Sequence, residues 1–194
     1  MNTKEYLYRW IPVLLGLIGL VALFPSDFYN LRYYTDLSNF VVMGFYAYLV
    51  IKNKSLTNRE LRIKTGVTIA ITLTFVIHNL LLLPQQTTHQ IFQMSNLVMH
   101  EIVPLMVILD CLIHDGKTYY RHCDPLIWAI FSMVYCIASV FVGFMNWSIP
   151  YEKASPFSYF FLDVSQNGWL SLITYIGITT ICYVGLGYVM RFLR

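Results

Sequence analysis

The chain has 194 residues, of which 57% are hydrophobic and only 12% charged, with a formal net charge of +3 at pH 7. That composition is too apolar for an ordinary water-soluble domain. The small basic surplus, dispersed along the chain, also excludes a nucleic-acid-binding surface.

Six apolar runs organise the sequence, roughly Tyr8–Phe24, Leu37–Ile51, Gly66–Leu83, Met94–Ile113, Leu126–Phe144 and Trp169–Phe192. Each is close to the ~20 residues (range ~17–25) that a helix rising 1.5 Å per residue needs to cross the hydrocarbon. The first run follows Lys4 and Arg9 as the apolar part of a signal peptide would. No small-x-small cleavage site follows Leu23, Phe24 and Pro25, so it is read as a retained helix. The second run is the shortest and is expected to begin earlier, near Tyr33. Short connections at Lys52–Thr65, Pro84–Gln93 and His114–Pro125 make consecutive helices antiparallel and adjacent. The connection Met145–Gly168 is longer and rich in aromatic residues and proline, including Trp147, Pro150, Tyr151, Pro156, Phe157, Tyr159, Phe160 and Phe161. It reads either as an interfacial aromatic belt or as a lid over an outward-facing, lipid-accessible cavity.

The basic residues set the expected topology. Eleven of the thirteen fall on one side: Lys4, Arg9, Lys52, Lys54, Arg59, Arg62, Lys64, Lys117, Arg121, Arg191 and Arg194. Arg32 and Lys153 fall on the other. The positive-inside rule then makes both termini cytoplasmic. The expected fold is an all-α integral membrane protein, residues 1–194 forming a single transmembrane domain of six helices. Cys111, Cys123, Cys136 and Cys182 show neither disulfide placement nor a CxxC spacing, and His100–Val103 lacks the second histidine of a HExxH zinc motif. No metal or cofactor is expected.

Polar side chains within the hydrocarbon are costly, so they mark where chemistry is to be sought. Thr35 lies at the outer mouth of the second helix, with Asn39 one turn deeper on the same face. His78 lies roughly 9 Å below the outer end of the third helix, and His100 roughly 9 Å below the start of the fourth. Asn96 precedes His100 by four residues on its face. Together they form one outer layer. Pro104 removes the hydrogen bond to the His100 carbonyl, so a kink beside that histidine is expected. A threonine hydroxyl needs an adjacent base to attack an ester, and His100 can supply one. Asn39, Asn96 and His78 are candidate oxyanion donors, and Asp163 a candidate to orient a histidine. Glu101 is expected to face Arg32 or solvent, and Asp110 to pair with a basic residue of an inner loop. Two other readings compete: a haem electron-transfer protein with His78 and His100 as axial ligands, and a small-solute transporter, which would favour broken helices in corresponding halves.

Three stretches carry a resemblance: Tyr33, Tyr34, Thr35, Asp36, Leu37, Ser38, Asn39 at the second helix; Met99, His100, Glu101, Ile102, Val103, Pro104 in the fourth; and Tyr159, Phe160, Phe161, Leu162, Asp163 before the sixth. In order, placement and helix count the chain resembles the androgen-induced protein family of six-helix membrane hydrolases, and looks like a bacterial member of that superfamily. The resemblance implies a threonine hydrolase of fatty acid esters of hydroxy fatty acids, with the nucleophile at Thr35 and the essential histidine at His100. It further implies a lipid ester substrate drawn from the bilayer and a multi-pass location in a bacterial inner membrane. Asp36 and Glu101 put acidic groups beside both motif residues, where the animal proteins carry uncharged ones, and the inner loops are shorter. These departures bear on the substrate rather than on the reaction type.

Overall fold

The computed structural model describes residues 3–23 (side chains as far as residue 19), 32–116, 118–145 and 155–193. Phe24, Pro25, Lys117, Trp147, Pro150, Tyr151, Lys153 and Arg194, on which some of the expectations rest, lie outside the described residues.

Helix α1 spans Thr3–Leu23, α2 Tyr34–Lys52, α3 Asn58–Gln85, the one-turn α4 Thr88–Ile91, α5 Met94–His114, α6 Asp124–Phe144 and α7 Val164–Phe192. No strand occurs among the described residues. Four helices there, α3, α5, α6 and α7, are long and apolar enough to cross a membrane. Helix α2 has 19 residues, but Tyr34, Thr35, Asp36, Ser38 and Asn39 make its first two turns polar.

The helices are turned the opposite way from those of a water-soluble bundle. On α6 the outward face carries Ile127, Ile130, Val134, Ile137 and Phe141, whereas Ser132, Tyr135, Ser139 and Gly143 face inward. A soluble amphipathic helix does the reverse. Small and hydroxyl-bearing residues at helix contacts, with an apolar exterior, are what a lipid solvent selects.

Helix α1 packs against α2 and α5, α2 against α3, α3 against α5, α6 and α7, and α6 against α7. One apolar cluster joins Val13 of α1, Val42 and Tyr46 of α2, Val67 and Ile71 of α3, and Val103 and Val107 of α5. A second joins α3 to α6 and α7 through Ile69, Ala70, Leu73, Trp128 and Tyr183. At one end of the bundle a buried ionic network adds directional ties. Asp110 of α5 accepts hydrogen bonds from Arg9 Nε (3.2 Å) and the Tyr46 hydroxyl (3.0 Å), and pairs with Lys64 and His114. Asp110 therefore pairs with a basic residue as expected. Lys64, however, is not a loop residue: α3 begins at a capping box formed by Thr57 and Glu60, which leaves Lys64 fully buried in its second turn. The Arg9 side chain is 1% exposed and also meets Glu5 and Asp115. This network holds α1, α2, α3 and α5 together at the end opposite Thr35.

Helix α7 contains a break at Gly168, whose φ of 75° and ψ of 166° suit only glycine. The regular helix thus starts at Trp169, as the apolar run implied. Residues 155–163 run across the other end of the bundle. Phe157, Phe161 and Leu162 are buried there, and a Cβ on Gly143 would overlap the Phe157 ring.

Candidate active site

Two helices deviate from α geometry at the two histidines. In α3 a π turn covers His78–Leu82, just before Pro84, and in α5 another covers Val98–Ile102, just before Pro104. Single π turns inside α-helices recur at functional sites. The kink expected at Pro104 takes this form, and it changes which carbonyl is released. The Val103 amide bonds to the Val98 carbonyl. In that register the Met99 carbonyl would need the amide of Pro104, which proline lacks. Asn39 of α2 supplies the donor instead: its Nδ2 reaches the Met99 carbonyl at 3.1 Å and the Thr35 carbonyl at 2.8 Å. Asn39 is therefore a tie between α2 and α5, and its amide is already committed.

Thr35 lies in the first turn of α2, buried, with its Oγ1 3.1 Å from His100 Nε2. The other ring nitrogen, Nδ1, lies 3.1 Å from the Asn96 carbonyl. A carbonyl only accepts, so Nδ1 carries the proton and Nε2 presents its lone pair to the Thr35 hydroxyl. The Ser38 hydroxyl donates to the Thr35 carbonyl at 3.0 Å and pairs with Thr74 of α3 at 2.7 Å. The backbone of Thr35 is thereby fixed to two neighbouring helices.

His78 lies under His100. Their rings stack with centroids 4.1 Å apart and an interplanar angle of 27°. His78 Nδ1 faces Glu101 Oε1 at 3.1 Å, and Asn79 Nδ2 donates to the same oxygen at 2.9 Å. Glu101 thus turns to α3 rather than to Arg32 or solvent, and His78 lies stacked beneath the His100 ring. The stack does not fit haem ligation. Axial imidazoles point their nitrogens at one iron from opposite faces of the porphyrin, whereas these rings lie face to face.

Asn96 Nδ2 donates to Gln86 Oε1 (2.8 Å) and to the Gln90 carbonyl (3.2 Å), bracing the α4 turn beside the site. The hydrogen bonds of the Asp163 carboxylate go to Ser155, Ser165 and Gln166 rather than to a histidine. It caps α7, accepting from the Ser165 and Gln166 amides and from the Ser155 and Ser165 hydroxyls. Burial pushes its carboxyl up, but these hydrogen bonds outweigh that and hold it below the ordinary carboxylate value.

Tyr159, which the sequence does not single out as a site residue, adjoins Thr35. Its phenol oxygen accepts the Tyr34 amide at 3.1 Å, at the N-terminus of α2. Burial pushes the phenol up to about 12, against the opposite pull of hydrogen bonding from the Thr35 side chain and amide. At neutral pH it keeps its proton and remains a donor. The aromatic run before α7 marks this segment in the sequence, but nothing there distinguishes Tyr159 from its neighbours.

Two cavities meet at Thr35. One is narrow, with free space of about 30 Å³; it is apolar and runs between α2, α3, α6 and α7, past Leu73, Ile77, Tyr135, Phe161, Leu162 and Ile176. The other, wider and open, has free space of about 560 Å³ and is lined by Asp36, Gln85, Gln86, Gln93, Asn96 and His100 among others. Thr35, Leu82 and Tyr159 border both. The segment 155–163 borders both cavities through Tyr159, with Phe161 lining the apolar one.

No family model matches the chain, and no match is found among curated proteins or solved structures.

Proposed function

We propose that this chain is an integral membrane hydrolase of lipid esters, with Thr35 as nucleophile and His100 as general base. The observation that carries the reading is the 3.1 Å contact between Thr35 Oγ1 and a His100 Nε2 whose tautomer is fixed by the Asn96 carbonyl. In the first step Thr35 Oγ1 bonds to the ester carbonyl carbon while His100 takes the hydroxyl proton. Negative charge develops on the carbonyl oxygen beside the positive end of α2, where the Tyr159 hydroxyl can also donate. Collapse of the tetrahedral intermediate breaks the ester C–O bond, and His100 returns the proton to the departing alcohol. Water, deprotonated by His100, then attacks the acyl-threonine; the acyl C–Oγ1 bond breaks, the carboxylic acid is released, and His100 returns the proton to Thr35 Oγ1. Every proton is accounted for by His100 and water.

The finer topology belongs to the same proposal: six spans, both termini cytoplasmic, in a bacterial inner membrane. The apolar exteriors of the helices and the lopsided distribution of basic residues support it. A lipid ester enters from the bilayer with its carbonyl at Thr35 and an acyl chain directed into the apolar cavity, which must widen to take it. Fatty acid esters of hydroxy fatty acids, the substrates implied by the family resemblance, are the first to assay.

The test is a mutant cycle on the purified chain. Thr35→Ala abolishes ester cleavage, and Thr35→Ser retains part of it. His100→Ala loses roughly 10²–10⁴-fold, the usual contribution of a general base. Because the two act as one unit, the double variant is little worse than either single one. Losses that multiply, or a Thr35→Ala variant that cleaves at the wild-type rate, would overturn the assignment.

A further inference from the structure

The surroundings of Thr35 differ on its two sides, and the difference bears on which ester is cleaved. This inference rests on the hydrolase reading above. The acyl side is the apolar cavity. The alcohol side, where the leaving group must sit, carries the side chains of Gln85, Gln86, Gln93, Asn96 and Asp36 beside the apolar surfaces of Tyr33, Leu82, Met99 and Phe160. No Lys or Arg is found among its described lining residues. Asn96 and Gln85 are partly committed, to Gln86 and Gln90 and to the Leu81 carbonyl. The Asp36 carboxyl and the Gln93 carboxamide make no hydrogen bond or ion pair with the described residues, so their valencies are open to a ligand.

A hydroxy fatty acid is a poor occupant of such a chamber. Its hydrocarbon would displace water from the carboxamides without offering them a hydrogen bond in exchange. Its free carboxylate would meet Asp36 with no cation to balance it. A neutral polyol has the complementary chemistry. Each hydroxyl both donates and accepts, matching carboxamides that do the same, and a carboxyl group accepts from two neighbouring hydroxyls at once. We propose that the site cleaves acyl esters whose alcohol is a neutral polyol, such as the glycerol of a monoacylglycerol. Asp36 and Gln93 bind its hydroxyls, and the acyl chain lies in the apolar cavity.

The test compares three oleoyl esters on the full chain in detergent micelles: monooleoylglycerol, propyl oleate, and the oleoyl ester of a long-chain hydroxy fatty acid. The expected kcat/KM for monooleoylglycerol exceeds that for each of the other two by about tenfold or more, since a site built to bind hydroxyls discriminates against substrates lacking them. Asp36→Asn is expected to narrow the ratio of glycerol ester to hydroxy fatty acid ester by about threefold or more, the scale of one partly screened charge interaction. Gln93→Leu, at an exposed position at the start of α5, is expected to narrow the ratio of monooleoylglycerol to propyl oleate and serves where Asp36→Asn is poorly folded. Preferential cleavage of the hydroxy fatty acid ester, or ratios unmoved by both variants, would overturn this inference and leave the hydrolase reading standing. Failure to cleave any of the three would overturn both.

Discussion

Replacing Tyr159 by Phe removes one oxygen atom and leaves its ring contacts intact. The ring stacks on Phe161 at 5.0 Å between centroids and meets Tyr33 edge-on at 5.7 Å, and neither contact involves the hydroxyl. Two effects remain. The Tyr34 amide loses its acceptor, which costs about 1 kcal/mol of stability or less at a helix N-terminus open to other partners. The developing oxyanion loses one donor, a change that typically lowers kcat by roughly 10²–10³-fold. Because the α2 N-terminus remains as a second source of positive potential, the lower end of that range, about 10²-fold, is expected here. Little of the loss is expected in KM, since the interaction strengthens only as charge develops on the oxygen. The assay is steady-state hydrolysis of an oleoyl ester in detergent, paired with thermal unfolding of the variant. A kcat within about twofold of wild type, or a loss confined to KM, would refute the donor role for Tyr159.

Asp110→Ala takes from the buried Arg9 and Lys64 one of the two carboxylates they share and leaves Asp115, so it is expected to destabilise the protein by about 3 kcal/mol, the lower end for breaking a buried pair, and to lower the midpoint of thermal unfolding in detergent. An unchanged midpoint would show that the network contributes nothing to holding α1, α2, α3 and α5 together. Reporter fusions are expected to place the Lys52–Lys64 connection and Arg194 in the cytoplasm, and the Pro84–Gln93 connection outside. A periplasmic C-terminus would overturn the six-span topology.

The pairing of Thr35 with His100 was legible in the sequence because depth along a helix follows from residue count, and short connections keep neighbouring helices antiparallel. Direction around the helix axis was less legible. The π turns at His78–Leu82 and Val98–Ile102 shift the angular register of the residues beyond them. As a result Glu101 faces His78 and Asn79, and the Met99 carbonyl rather than that of His100 becomes the one that Asn39 caps. His78 shares the depth of His100, but depth alone could not tell a stacked ring from an oxyanion donor. Lys64 read as a topology signal in a loop. The Thr57-x-x-Glu60 capping box, visible in the sequence, would have started α3 eight residues earlier and buried it. Asp163 could not be assigned from its motif, because an N-cap and a histidine partner call for the same carboxylate. Tyr159 reaches Thr35 only through the tertiary path of residues 155–163, which no periodicity encodes.

The central claim is that Thr35 is the nucleophile, and covalent labelling tests it most directly. The purified chain is treated with a lipid-like serine/threonine hydrolase probe, digested, and the modified residue mapped by mass spectrometry. The account predicts a single adduct on Thr35, absent in Thr35→Ala and strongly reduced in His100→Ala, because the hydroxyl then lacks its base. An adduct on another residue, or labelling that persists undiminished in Thr35→Ala, would contradict it.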